Sequence, residues 1–127
     1  MSARALAALA LLATPASADT LPVRPGFYAR ADRPCATRGD AGAYAALLHV
    51  DRGGVSDSGH ARRVVHVRGE NGALVVDQLS EDLRAGGGPA SLTWVVRVMA
   101  PTRFVVLGAD GPVDLSGQYE WCGAAIP

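Results

Sequence analysis

The 127-residue sequence contains no lysine, so its 12 basic residues are all arginines, and 12 aspartates and glutamates balance them. A protein that binds nucleic acid through its phosphates normally carries a clear excess of positive charge. The formal net charge here is zero at pH 7. The composition therefore argues against a nucleic-acid partner, and we expect a protein or a small molecule instead.

The sequence also lacks an apolar run long enough to span a bilayer, which needs about 20 residues. Its N-terminal apolar run, residues 5–13, follows Arg4 and precedes Pro15 and the small-residue pattern Ala16-Ser17-Ala18. This order of features is typical of a secretory signal peptide, although a buried N-terminal helix is the alternative. We predict a signal peptide over residues 1–18, cleavage after Ala18, and a single exported domain over residues 19–127, located in the periplasm or secreted, with no membrane span.

Cysteines are scarce, and the only two, Cys35 and Cys122, lie near the two ends of the predicted mature chain. In an oxidising compartment an isolated pair usually forms a disulfide, whereas a redox or metal-binding pair is normally closely spaced. We therefore predict a Cys35–Cys122 disulfide. Closing so long a loop is expected to stabilise the fold by about 4.5 kcal/mol in the chain-entropy treatment.

Long amphipathic helices are missing too, and the pattern is one of short strands separated by turns. Asn71-Gly72 lies between the β-branched runs 64–67 and 74–76, which is a strong signal for a β-hairpin. A second turn is predicted at Ala100-Pro101-Thr102, between the apolar runs 92–99 and 103–107. Counting seven or eight such strands, we predict an all-β fold, either a small antiparallel barrel or a sandwich.

Three segments are less regular. Residues 44–50 are rich in alanine and leucine, which favours a helix, but their short length and the following Gly53-Gly54 turn favour a strand, which we predict. Small and polar residues predict a loop over 36–42. Residues 80–89 include Gly86-Gly87-Gly88-Pro89 and are predicted to be the most mobile loop.

No motif in the sequence predicts a metal or cofactor site. The three histidines are His49, His60 and His66, and none has a second ligand at the spacing typical of metal sites. Solvent-facing or edge histidines are the simpler interpretation. We expect neither a metal nor a cofactor.

Catalytic motifs are equally scarce. The sequence has no Gly-x-Ser-x-Gly elbow, and its predicted β-fold lacks the surroundings which that elbow needs. Glycosidases use two carboxylates that face each other across a cleft. Four residues here could supply such a pair, although any domain contains similar pairs; they are Asp77, Glu81, Asp82 and Glu120. We predict that the protein is not an enzyme.

Two segments are candidates for a binding surface. Arg62 and Arg63 form the densest basic spot, which would suit an acidic partner, or would simply be a solvated strand edge. On the last strand Tyr119 and Trp121 share one face and Cys122 lies on the other. If the Cys122 face points inward, the two aromatics are partly exposed and available for binding; otherwise they are packing residues.

The opening of the mature chain, Leu21-Pro22-x-x-x-Gly26-x-Tyr28 followed by Pro34-Cys35, resembles a set of small bacterial periplasmic β-proteins. Their chains run as a β-meander to an aromatic-Cys ending, matched here by Trp121-Cys122. Their relatives often carry further cysteines in mid-chain, which this sequence lacks. The resemblance implies a periplasmic β-meander and no particular activity.

A second resemblance is to periplasmic inhibitors of C-type lysozyme, small disulfide-bearing barrels with a Ser-Gly-x-x-Tyr loop. The matching segment here, Ser116-Gly117-Gln118-Tyr119, is one residue shorter. The sequence therefore supports two main functional hypotheses, a non-catalytic binding or structural module and an inhibitor of a cell-wall hydrolase. A small hydrolase is a third hypothesis, which the residues favour least.

Overall fold

A computed structural model of the chain describes residues 20–33, 35, 41–110 and 114–127. The predicted signal peptide, residues 36–40 of the predicted loop, and Gly111 to Val113 lie outside the described residues. The described elements are one short helix, α1, and eight strands: β1 (Gly26–Arg30), α1 (Ala41–Ala45), β2 (Leu48–Val50), β3 (Val55–Ser56), β4 (His60–Glu70), β5 (Ala73–Asp82), β6 (Ala90–Ala100), β7 (Arg103–Ala109) and β8 (Gly117–Gly123).

The eight strands form one antiparallel meander that curls into a nearly closed barrel. Each strand pairs with the next along the chain, except at the junction of β3 and β4, and β8 pairs back onto β1. At the β3–β4 junction, which we call the seam, a single bridge joins Gly54 to Arg63, and the Val64 amide donates to the Gly53 carbonyl at 2.9 Å. The predicted all-β fold is confirmed, and of its two forms the structure is the barrel.

Both predicted turns are present. Asn71 and Gly72 have φ angles of 52° and 78°, as a two-residue type I′ turn requires, and they connect the long strands β4 and β5. The predicted turn around Pro101 connects β6 to β7, where Ala100 pairs with Arg103. Local turn chemistry therefore sets the register of these two hairpins next to each turn.

Two boundaries differ from the prediction. Residues 44–50 are not one strand: helix α1 includes Tyr44 and Ala45, and strand β2 covers only Leu48–Val50. The alanine-rich part has no buried residue, so nothing in packing opposes its helical propensity, and the strand begins once the side chains are buried. The same helix takes in residues 41 and 42 of the predicted loop, and the 80–89 loop is shorter, because β5 continues to Asp82.

The barrel interior is filled by one face of every strand, mainly with valine and aromatic side chains. A bulge between Val64 and His66 resets the alternation of β4, so Val64 and Val67 both point inward while Val65 is 52% exposed. Phe104 lies between the rings of Tyr28 and Tyr119, at centroid distances of 5.0 and 5.4 Å. These contacts join β1, β7 and β8 through the core.

Strands β1 and β8 begin in the same way, with the pattern Gly-x-Tyr. Gly26 and Gly117 have positive φ angles of 146° and 138°, which L-residues rarely adopt. Two residues later each tyrosine hydroxyl donates to the carbonyl four residues upstream: Tyr28 to Arg24 at 2.7 Å and Tyr119 to Leu115 at 2.9 Å. Each motif fixes the angle at which the chain enters the barrel wall.

Near Gly26, the end of the barrel is covered by the segment that precedes β1. Leu21 and Val23 are buried in the core, and the Arg24 amide donates to the Pro101 carbonyl at 2.7 Å. The opposite end, where β1 finishes at Arg30, is the more open one.

The predicted disulfide is confirmed: Cys35 is bonded to Cys122, with their Cα atoms 5.5 Å apart. Cys122 alternates with the inward-facing Tyr119 and Trp121, so the bond lies on the outer face of β8. It ties the segment after β1 to β8, the strand with which β1 pairs. No helix in the described ranges is long and apolar enough to cross a membrane.

Candidate binding site at the barrel mouth

The open end of the barrel holds a cavity of about 540 Å³. We call this end the mouth and define it by its charged lining, which comes from four separate chain segments: Arg30, Arg33, Asp57, His60, Asp82, Arg84 and Asp114. Leu47, Leu48 and Leu115 supply an apolar part of the lining. A concave space of this size, with a few convergent polar groups, has the character of a small-molecule site.

Asp57 organises the tight turn between β3 and β4. Its Oδ1 accepts the Gly59 amide at 2.8 Å and lies 3.2 Å from His60 Nδ1, while its Oδ2 accepts Arg62 Nη2 at 2.8 Å. Burial raises the pKa of the Asp57 carboxyl, but the hydrogen bonds from Arg62 and Gly59 outweigh burial, and the pKa lies below its usual value. Asp57 is therefore ionised, and its hydrogen bonds hold His60 and Arg62 in place.

His60 lies between two carboxylates. Its Nε2 is 3.8 Å from Asp82 Oδ2, because the two residues are directly opposite one another on β4 and β5. Asp82 also accepts the amides of Ala85 and Arg84 at 3.0 and 2.9 Å, and these bonds lower the pKa of its carboxyl. This side of the mouth is therefore held by a continuous chain of polar contacts from Asp57 to the β5–β6 loop.

Arg30 and Arg33 lie on the other side of the mouth. Arg30 Nη2 donates to the Asp114 carbonyl at 2.7 Å, and a hydrogen bond to the Tyr119 hydroxyl raises the pKa of Arg30. Asp114 is in turn bonded by the Ser116 hydroxyl and amide, which lower the pKa of its carboxyl. Arg33 and Arg84 are exposed, and within the described residues neither forms a salt bridge.

Two of the candidate surface residues, Tyr119 and Arg62, are buried. Tyr119 is 1% exposed, because the face it shares with Trp121 points into the barrel. Arg62 is 6% exposed and points inward from β4 toward Asp57 and the ring of Trp94. Neither side chain can contact a macromolecular partner.

The other three predicted residues are not brought together. Ser116 is half-buried beside Asp114 at the mouth, whereas Arg63 is exposed on β4 at the seam. Trp121 lies toward the opposite end, where its Nε1 donates to the Pro25 carbonyl at 3.2 Å and Arg24 lies over its ring. No single surface contains them.

The remaining histidines and carboxylates are also scattered. His49 packs beside Phe27 with ring centroids 4.5 Å apart, and His66 is exposed on β4. Asp77 accepts the Thr93 hydroxyl at 2.9 Å, away from the mouth, and of the four carboxylates suggested for a cleft only Asp82 lines the cavity. Among the residues that the structure describes, no group of three or more His, Cys, Asp or Glu side chains could hold a metal ion.

The fold and the mouth together define a small antiparallel meander barrel, open and charged at one end. Comparisons with protein-family models, with curated proteins and with solved structures found no match to this chain. The function is therefore argued from the geometry of the site.

Proposed function

We propose that the chain is an exported, non-catalytic binding protein whose ligand occupies the barrel mouth. The observation that carries this proposal is the cavity of about 540 Å³, in which arginines, a histidine and leucines converge. Export is supported by the signal-like N-terminus and by the disulfide, since disulfides persist in oxidising compartments. The resemblance to small periplasmic β-proteins supports the same location.

The charges of the mouth favour a ligand with an anionic group. Three arginines and three aspartates line the cavity, but the negative charge of Asp57 is already matched by Arg62, which does not line it. This leaves the arginines in excess, with Arg33 and Arg84 free of salt bridges among the described residues. A carboxylate is the simplest partner for a guanidinium, and the leucines suit an apolar body attached to it.

A catalytic role has less support. His60 is positioned by two carboxylates, as a general base often is, but a base needs a reactant group within hydrogen-bond reach. In the part of the chain that the structure describes, no serine, threonine or cysteine side chain hydrogen-bonds to His60. The contacts of His60 with Asp57 and Asp82 therefore stabilise the β3–β4 turn.

Inhibition of a cell-wall hydrolase is the alternative proposal, but the tyrosine of its loop motif is not available for contact. The motif would have to present Tyr119 to an enzyme, and that side chain is buried with its hydroxyl bonded to Leu115. Lysozyme activity in the presence of a micromolar excess of the protein tests this alternative, and we expect no inhibition.

The binding proposal is tested by titrating the ¹⁵N-labelled protein with straight-chain monocarboxylates from acetate to octanoate. We expect saturable shifts of the amides of Leu47, Gly59 and Arg84, with affinity that rises with chain length as more apolar surface is buried. Arg84→Gln should weaken binding about tenfold, because it removes a charge-assisted hydrogen bond. Arg63→Gln, on the outer face, is the matched control and should leave affinity unchanged; shifts that do not saturate for any acid would refute the proposal.

A further inference from the structure

Three polar side chains lie inside the barrel on neighbouring strands. Arg62 on β4, Gln78 on β5 and Trp94 on β6 are 6%, 1% and 1% exposed. The strand register places them close together, since Arg62 is opposite Ser80, Gln78 is opposite Leu92, and Trp94 is opposite Val76. Arg62 Cζ lies 5.3 Å from the centre of the Trp94 ring.

These side chains carry five buried polar atoms that have no hydrogen-bond partner in the part of the chain that the structure describes: Arg62 Nε and Nη1, Gln78 Nε2 and Oε1, and Trp94 Nε1. Four of the five are donors, and only the glutamine oxygen is an acceptor. Buried polar groups in native proteins are nearly always satisfied, and leaving them unpaired is costly. The cluster therefore calls for a species that accepts hydrogen bonds.

The charge distribution specifies that acceptor further. Among the described residues, Asp57 is the one carboxylate bonded to Arg62, and it reaches only Nη2. Its other oxygen is shared between the Gly59 amide and His60. Asp57 therefore does not reach the Nε and Nη1 donors of the buried guanidinium. Hydrogen bonds from a guanidinium are strongest when the acceptor is an anion.

We propose that Arg62, Gln78 and Trp94 form an interior site for a small monovalent anion such as chloride or formate. The interior of an eight-stranded barrel is just wide enough for its side chains or one small ligand, which restricts the site to an ion of a few atoms. The anion accepts hydrogen bonds from Arg62, from the Trp94 indole and from the Gln78 amide. This site is separate from the mouth, because none of the three residues lines the mouth cavity.

The first test is the melting temperature of the purified protein in sodium chloride, bromide or formate, compared with sodium gluconate at equal ionic strength. Gluconate is chosen because it is much larger than the proposed site. We expect the small anions to raise the melting temperature by about 5 °C or more at ten times the dissociation constant. Equal melting temperatures in all four salts would show that water or rearranged side chains satisfy the donors, and would overturn the proposal.

Variants of the neutral donors identify the site. Trp94→Phe keeps a ring but loses the Nε1 donor, and Gln78→Met keeps the volume but loses the amide; each should weaken anion binding about tenfold. In gluconate Gln78→Met should melt no lower than the wild type, because the Gln78 amide has no hydrogen-bond partner to lose among the described residues. Trp121→Phe and Gln118→Met are the controls and should keep the full anion effect, since neither residue belongs to the cluster.

A crystal grown in sodium bromide gives a direct test on the wild-type protein, which also covers the case in which a variant fails to fold. An anomalous peak beside Trp94 Nε1 and Arg62 Nη1 is expected. The absence of such a peak at a bromide concentration that shifts the melting temperature would overturn the proposal. A negative result for the interior anion site does not change the expected carboxylate titration at the mouth. Each proposal can therefore be refuted without the other.

Discussion

Tyr28 and Tyr119 occupy equivalent positions in β1 and β8, each two residues after a glycine with positive φ. Because these strands are antiparallel, the two motifs fix the chain at opposite ends of the same strand pair. The sequence displays both Gly-x-Tyr patterns, and they underlie both of the resemblances described above. What the residue types alone do not show is that the tyrosines are buried anchors and not contact residues.

At the residue scale we predict that Tyr119→Phe and Tyr28→Phe each destabilise the protein by about 1 kcal/mol or more, since each removes the hydroxyl that donates to the carbonyl four residues upstream. Tyr119→Phe also removes a hydrogen-bond partner of Arg30. Urea denaturation of the variants measures the change in the free energy of unfolding. Tyr44→Phe is the control, because Tyr44 lies on α1 and is 42% exposed. If all three variants unfold at the same urea concentration, the tyrosine anchors contribute nothing.

At the scale of the strands, a single bridge joins β3 to β4 at the seam, and this bridge depends on a close approach at Gly54. A Cβ atom at this position would overlap the carbonyl oxygen of Arg62 on the opposite strand. The backbones can therefore meet only if residue 54 has no side chain.

We predict that Gly54→Ala opens the seam and destabilises the protein by about 3 kcal/mol, the upper part of the range for overpacking. Amide hydrogen exchange should show lost protection at Val64, which donates across the seam. Gly53→Ala is the matched control, because the nearest atom to its new Cβ is a side-chain oxygen 3.6 Å away. Equal effects of the two substitutions would mean that the close approach is unimportant.

The strands also show where prediction from sequence reaches its limit. The Asn71-Gly72 turn fixes the β4–β5 register near the turn, and unbroken pairing from it would place His60 opposite residue 83. The bulge at Val64 and His66 shifts the register by one residue, so that His60 faces Asp82 instead. No local feature of the sequence marks this bulge, so the contact between His60 and Asp82 could not be predicted from the turn.

At the scale of the whole molecule, most neighbouring strands of the meander are joined by short turns. The last strand, however, must pair with the first, which is distant in the sequence. The pairing of β8 with β1 joins residues about ninety positions apart, and its loop-closure cost exceeds that of any hairpin in the barrel. Composition and turn signals were enough to predict the strands, but this closure could be inferred only through the two cysteines. The mouth exists because the same closure brings Arg30 and Asp114 opposite Asp57 and His60.

We therefore predict that the double variant Cys35→Ser/Cys122→Ser loses about 4 kcal/mol of stability, close to the loop-entropy value for a bond across 87 residues. Because typical domains have only about 5–15 kcal/mol to lose, this is a large share of the total. Denaturation of the variant, and of the wild type with and without a reductant, measures the loss. Amide protection from hydrogen exchange should fall first in the β1–β8 pair. The β4–β5 hairpin is closed by its own turn, so its amides should stay more protected than those of β1 and β8. A uniform loss of protection over all strands would instead show that the barrel unfolds only as a unit, and an unchanged midpoint would show that the β1–β8 pairing holds without the bond.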